Sequence, residues 1–366
     1  MLSNHELQSI QSIIFNANSS NEARKAAELQ LERFCEQPDA WKIHINLLQT
    51  ADTNNIFLLC IGLNKILWKS WSLLTIDEIK YISESLIILL VNKFETLPTY
   101  SRSKIEQLLS TICKNTISYD VLFQLIQYCD NLSKSSNTNS TSTYTNRLIG
   151  ISASRTILDD ALGPDSRLSP DKRTMLTNIA STQLVSYLIN TSCQACIDII
   201  NIQSTNTTHI HTPIETDTLE TSIQLIKVII SKVPLGQHID ENTLNLLFAV
   251  AELSATTTNN NTHTYIQYKQ ASLFAIETLT EFMSKRYLPA NGAGTTAGSG
   301  NNGTGLPSNS NREYMTGILL GLVAKAVNLI KVYWYVYCVV YCLYRLLYSM
   351  SIYHLGHVLH TLCSLY

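Results

Sequence analysis

TIDEIKYISESLIILLVNKFETLPTYSRSKIEQLLSTI, residues 75–112, decides the fold. Thr75 is followed three positions later by Glu78, a capping box in which each side chain satisfies the other residue's backbone N–H. Ile79, Ile82, Leu86, Leu89 and Leu90 then recur at helical spacing. Leu97-Pro98 stops that run, and Ile105, Leu108, Leu109 and Ile112 form a second stripe. Two amphipathic helices joined by so short a connection fold back on each other.

The same grammar extends in both directions. Upstream, Leu7, Ile10 and Ile14 make one stripe, and Ala23, Ala27, Leu31 and Phe34 a second. Pro38-Asp39 breaks the chain, with Asp39 placed to cap a helix from Ala40 that turns Ile43, Leu47 and Leu48 inward. Asn54 or Asn55 can cap the next helix, Ile56 to Trp71. Downstream come Leu122, Leu125 and Ile126, then a helix over 146–162 closed by Gly163-Pro164. Ser169-Pro170 opens another, since Pro fits a first helical turn and Ser can cap it.

No strand pattern of any strength lies between these segments. About a dozen helices at on the order of one pair per 40 residues must stack side by side to bury their stripes. The expected fold is therefore all-α, an α-solenoid of HEAT-like helical hairpins, with an irregular helical bundle as the alternative. Four spacers rich in Asn, Thr, Ser or Gly, the third of them over 255–264, interrupt the array and are expected to be disordered. The organisation reads as hairpins over 1–132, a spacer over 133–145, helices over 146–202, a spacer over 203–216, helices over 217–288, a Gly/Asn-rich linker over 289–312 and an apolar, Tyr/Cys-rich end over 313–366.

Composition narrows the function. Of 366 residues, 45% are hydrophobic and 15% charged, against about 25% charged in an average soluble chain. Lys and Arg number 26 against 28 Asp and Glu, a net charge of −2. That balance argues against nucleic acid as a partner, because phosphate neutralisation needs a surplus of cations. The nine Cys are scattered and Met1 to Phe15 holds no apolar run, so a reduced intracellular setting is expected.

Catalytic signals are weak. No G-x-x-x-x-G-K-[ST], G-x-G-x-x-G or G-x-S-x-G segment is present, and neither an enzyme activity nor a cofactor is expected. Cys193 and Cys196 have half-zinc spacing but lie among Leu188, Ile197 and Ile200 at helical period, which favours core cysteines. His354, His357 and His360 recur every three residues with Cys363 beyond, a face able to bind metal on a helix, yet no metal site is expected from so atypical a segment. Asp159 and Asp160 are adjacent, so on a helix they diverge and cannot easily share a proton. Phe34, Trp41, Trp68 and Trp71 are expected to anchor the core. Lys65 and Lys69, four apart on one face, form either a solvated face or a basic strip for an acidic or phosphate-bearing partner.

One stretch resembles a known family. The carrying residues are Ala27-Glu28-Leu29-Gln30-Leu31-Glu32-Arg33-Phe34, then Gln37-Pro38-Asp39-Ala40-Trp41, then Leu63, Lys65, Ile66 and Trp71. They resemble the amino-terminal domain of the importin-beta/exportin superfamily. Leu97-Pro98 through Arg102-Ser103-Lys104-Ile105 resembles the next exportin element. Asp159-Asp160, Pro164, Leu168-Ser169 and Lys172-Arg173 look most like the exportin-6 branch, as do Ile276 to Leu279, Met283 to Lys285, Pro289 and Leu319 to Ile330. The resemblance implies a nuclear transport receptor of HEAT repeats that shuttles between nucleus and cytoplasm. Its implied partners are Ran–GTP, nuclear pore proteins and a protein cargo, actin–profilin for the exportin-6 branch. It places the GTPase on residues 1–130, where Lys42, Lys65 and Lys69 offer cations with few carboxylates beside them.

Exportins are several times longer, so the chain reads as the amino-terminal part of such a receptor. From Val332 the family pattern stops, and 8 of the 18 Tyr lie from Tyr333 onward. A tail anchor through 316–349 is the membrane alternative, but Val332 to Tyr344 is only 13 uncharged residues between Lys331 and Arg345, short of the roughly 20 a span needs. A HEAT-type scaffold without Ran affinity is the other alternative.

Overall fold

The structure, a computed structural model, describes residues 4–287 apart from 17, 38, 52, 136–139, 165, 206–211, 235–238 and 257–261. Among them every regular element is helical: α1 (Asn4–Phe15), α2 (Asn21–Cys35), α3 (Ala40–Thr50), α4 (Thr53–Lys69), α5 (Ile76–Lys93), α6 (Thr99–Thr116), α7 (Asp120–Ser135), α8 (Ser140–Leu162), α9 (Pro170–Ile179), α10 (Val185–Thr205), α11 (Pro213–Lys232), α12 (Glu241–Thr256) and α13 (Thr262–Tyr287). A 3₁₀ turn, Trp71–Leu73, follows α4, and a π turn, Ala180–Leu184, joins α9 to α10.

The chain divides into two compact units, with the boundary inside α10 after Asn190. In the first unit consecutive helices pair: α1 with α2, α3 with α4, α5 with α6, α7 with α8. Each hairpin then leans on the next through like-numbered layers. The even helices touch in the order α2, α4, α6, α8, and the odd ones in the order α3, α5, α7. This two-layer stacking of hairpins is the α-solenoid arrangement. In the second unit α12 and α13 pair, Ser272 donates to the Val250 carbonyl at 2.9 Å, and Lys227 of α11 bonds Glu277 of α13.

The apolar stripes drive this. Ile105, Leu108, Leu109 and Ile112 on α6 are all buried, as are Ile82, Leu86, Leu89 and Leu90 on α5. On α11, Leu219, Ile223, Ile226 and Ile230 make the same pattern. Several buried hydroxyls are satisfied within their own helices. Ser154 donates to the Gly150 carbonyl, Thr218 to Ile214 and Ser222 to Thr218, each four residues back. Such back-bonding meets the donors of those side chains, whereas the buried hydroxyls of Ser101, Ser110 and Ser192 have no hydrogen-bond partner among the described residues.

Bonds between hairpins show the repeat length. Thr111 donates to Asn64 across 47 positions, Lys114 to Asp160 across 46, Ser152 to Glu106 across 46 and Thr156 to Glu106 across 50. The expected pair length of about 40 residues is thus slightly short of the spacing realised here.

Local signals fare differently. The Thr75–Glu78 capping box forms on both sides, and Ser169 caps α9 with Pro170 in its first turn. Asp39 sits at the N-cap of α3 but makes no side-chain cap bond; its carboxylate accepts from Lys42 Nζ at 2.8 Å instead. Asn54 and Asn55 lie inside α4, which starts at Thr53. The spacer expected over 133–145 is largely helix, with α7 reaching Ser135 and α8 starting at Ser140. Tyr144 supplies the reason. It is buried, and Thr145 beside it bonds Glu95 at 3.4 Å, so packing extends α8 upstream of Asn146. Helices α10 and α13 likewise take in the edges of the second and third spacers. Residues 206–211 and 257–261, the linker over 289–312 and the end over 313–366, with His354, His357, His360 and Cys363, lie outside the described residues.

Two buried groups give the first unit a pH dependence. His44 on α3 stacks on Phe34 with ring centroids 5.4 Å apart and donates Nδ1–H to the Ala40 carbonyl at 2.9 Å. Its bare Nε2 faces Gly62, where an added Cβ would come within 2.4 Å. Burial therefore lowers the His44 pKa to about 4. The unfolded imidazole takes its proton near the ordinary 6.5, so stability is full above that pH and is lost as pH falls toward about 4, by on the order of 3 kcal/mol. Glu106 on α6 has the opposite sign. Burial raises its pKa, against the pull of hydroxyl bonds from Thr156 and Ser152. Its contribution is present below the ordinary carboxyl range and is lost as pH rises. Unfolding midpoints measured from pH 4 to 7 should therefore fall less steeply on acidification for His44→Asn. They should fall more steeply for Glu106→Gln, with a higher midpoint at pH 7.

Candidate functional site: a basic groove on the even-numbered layer

Helix α4 has two faces of different character. Leu59, Leu63, Ile66 and Leu67 are buried, while Ile61, Asn64, Lys65, Trp68 and Lys69 recur at 3–4-residue spacing on the other side. That second stripe meets Glu32 of α2 and Lys104 and Gln107 of α6, and Arg167 closes it from the segment between α8 and α9. Together they enclose a groove of about 370 Å³. Four cations and one carboxylate line it, so its local charge is strongly positive on a nearly neutral chain.

The cations are not equivalent. Lys69 Nζ lies 3.1 Å from Glu36 and 3.5 Å from Glu32, and the bond to Glu36 raises its pKa. Lys104 donates to Gln107 Oε1 at 2.7 Å. Lys65, Lys104 and Arg167 have no carboxylate within ion-pair distance among the described residues. The Arg167 guanidinium sits 5.9 Å from the centre of the Trp68 ring, and Lys114 Nζ sits 5.7 Å from the same ring. Arg167 adopts φ 58°, the left-handed region that an L side chain other than Asn or Asp seldom enters.

The expected site residues divide. Lys65 and Lys69 do share the groove. Lys42 belongs elsewhere, on α3, bonded to Asp39 at 2.8 Å, 3.8 Å from Glu78 and 5.3 Å from the Trp41 ring centre. The expectation of few carboxylates beside these lysines is therefore wrong for Lys42 and Lys69. Acids of the preceding turn or of the neighbouring helix reach both. Phe34 and Trp41 are core residues at 0% and 4% exposure. Trp68 and Trp71 are only half-buried: Trp68 is a wall of the groove, and Trp71 lies in the 3₁₀ turn. Lys104 and Arg167 escaped the sequence reading. Lys104 lies one turn from Gln107 beside the buried stripe of α6, but the meeting of α6 and residue 167 with α4 is tertiary.

Other reactive groups offer little. Burial pushes the thiols of Cys35, Cys60, Cys113, Cys129, Cys193 and Cys196 up, Cys60 to about 12 and Cys35 to about 11. A thiol so shifted is a poor nucleophile. Asp160 turns to Lys114 at 2.7 Å while Asp159 stays exposed, so the adjacent acids diverge. Among the described residues no group of three or more His, Cys, Asp or Glu could hold a metal, and no helix is long and apolar enough to cross a membrane.

Fold and groove define a class: stacked helical hairpins with a cationic recess. No protein-family model and no curated protein sequence matches the chain.

Proposed function

We propose that the chain is an exportin-like nuclear transport receptor whose even-numbered layer engages Ran–GTP and which carries a protein cargo between nucleus and cytoplasm. It binds and makes no covalent bond. The observation that carries the reading is the two-layer stack with its basic groove on α2, α4 and α6, within the residues that resemble the importin-beta amino-terminal domain. Large protein partners suit the extended faces of stacked hairpins. Nuclear pore proteins, and actin–profilin as cargo, follow from the resemblance alone.

A second reading has an observation of its own. Two of the three candidate cations, Lys42 and Lys69, already bond the chain's own carboxylates, which favours a HEAT-type scaffold without Ran affinity. A pull-down with Ran loaded with GTP or GDP separates the two. The transport reading expects the GTP form to be retained preferentially, weakly and with strong salt dependence, since charges at an interface rim mainly set encounter rate. Lys65→Glu should slow association. Charge reversal at Lys69 is a poor choice, because it would crowd a third carboxylate onto Glu32 and Glu36. Equal retention of both nucleotide states, or none by folded protein at micromolar concentration, leaves the scaffold.

A further inference from the structure

We infer that the groove between α2, α4 and α6 takes an acidic peptide segment of a partner protein, with Arg167 as its principal contact. Its spare polar groups are mainly donors. The Gln107 Oε1 atom is taken by Lys104 Nζ, leaving the amide N–H groups of Gln107 to donate outward. Lys65, Lys104 and Arg167 lie on three different segments and converge on the same space without a carboxylate partner among the described residues. The one acid in the lining, Glu32, bonds Lys69. A recess of this kind favours an anion over a cation or a neutral amide.

Arg167 is the second observation. Arg167 holds φ 58°, where glycine would sit without strain. The residue holds its guanidinium 5.9 Å from the centre of the Trp68 ring at the groove, with no hydrogen bond or ion pair to another described residue. Strain retained at a residue of this kind points to a use for the side chain.

The size and the charge select the occupant. About 370 Å³ holds a few side chains, and a chain of net charge −2 has no cationic surplus to follow a nucleic-acid backbone. A short run of acidic side chains, carboxylate or phosphorylated, matches both. This inference shares the even-numbered layer with the transport reading. Its test contains no GTPase, so the failure of either is read separately.

The test is fluorescence anisotropy on the full chain with four labelled probes of equal length: a glutamate-rich peptide, the same peptide with glutamine, one with phosphoserine, and an RNA. The glutamate peptide should bind at least about tenfold more tightly than the glutamine one, and its affinity should fall with salt. Arg167→Gly should weaken it about tenfold, the effect of one lost charge-assisted hydrogen bond, while leaving the melting temperature unchanged or higher. Lys65→Gln and Lys104→Gln should each weaken it as well. Lys80→Gln, on the odd-numbered layer, should not. Tighter binding of the phosphoserine peptide would assign the anion to phosphorylated side chains. Equal binding of glutamate and glutamine peptides, RNA binding as tight as the acidic peptide, or equal losses in Lys80→Gln and Arg167→Gly would overturn the inference.

Discussion

Asp160→Ala should cost about 3–5 kcal/mol, the range for removing one partner of a buried ion pair. Lys114 is 6% exposed at its side chain, and its Nζ lies 2.7 Å from Asp160 Oδ2 on the next even helix. Truncating the acid leaves an ammonium enclosed beside the Trp68 ring with no other carboxylate in ion-pair distance among the described residues. The pair is asymmetric, because the Asp160 side chain is 34% exposed and can be hydrated without its partner. Lys114→Met should therefore be far milder, and the double variant should be more stable than Asp160→Ala alone. Denaturant midpoints of the three proteins check this. A double variant no better than Asp160→Ala would show that Asp160 acts through something other than the lysine charge.

Trp41→Ala should cost a similar 3–5 kcal/mol, as aromatic truncations in a core do. The ring is 4% exposed and meets Tyr81 of α5 edge-on with centroids 6.2 Å apart. It thus helps hold the odd-numbered layer together between neighbouring hairpins. A loss this size is a large share of the stability of an ordinary domain. Circular dichroism of the full chain in denaturant should show the first transition moved to much lower concentration. A shift worth under about 1 kcal/mol would mean that the indole is not enclosed between α3 and α5.

Much of the hairpin array is legible one residue at a time. The Thr75–Glu78 box, the Ser169-Pro170 start and the stripes of α5 and α6 are local, and local chemistry decides them. What escapes is set by neighbours distant in sequence. Asp39 has the right type for a cap, but Lys42 competes for its carboxylate. The polar run before Asn146 reads as a spacer until Tyr144 finds a buried place. The candidate site is half legible for the same reason. Lys65 and Lys69 share one helix face and can be paired by spacing. Lys104 and Arg167 reach the groove only because α6 and the α8–α9 segment pass beside α4. Opposite charges on Glu32 and Glu36 reach Lys69 across more than 30 positions, a distance over which a sequence shows no partner.

The spacing of the bonds between hairpins bears on how the protein is made. Thr111 to Asn64, Lys114 to Asp160 and Ser152 to Glu106 each join residues 46 or 47 positions apart. A hairpin leaving the ribosome needs only the one synthesised just before it as a template, and waits for nothing hundreds of residues away. Low contact order of this kind favours rapid acquisition of structure. It also shortens the time for which the apolar stripes of a half-made chain stand open to other nascent chains. Assembly can thus proceed vectorially in the first unit, each new pair of helices closing over the last while the remainder is still being translated.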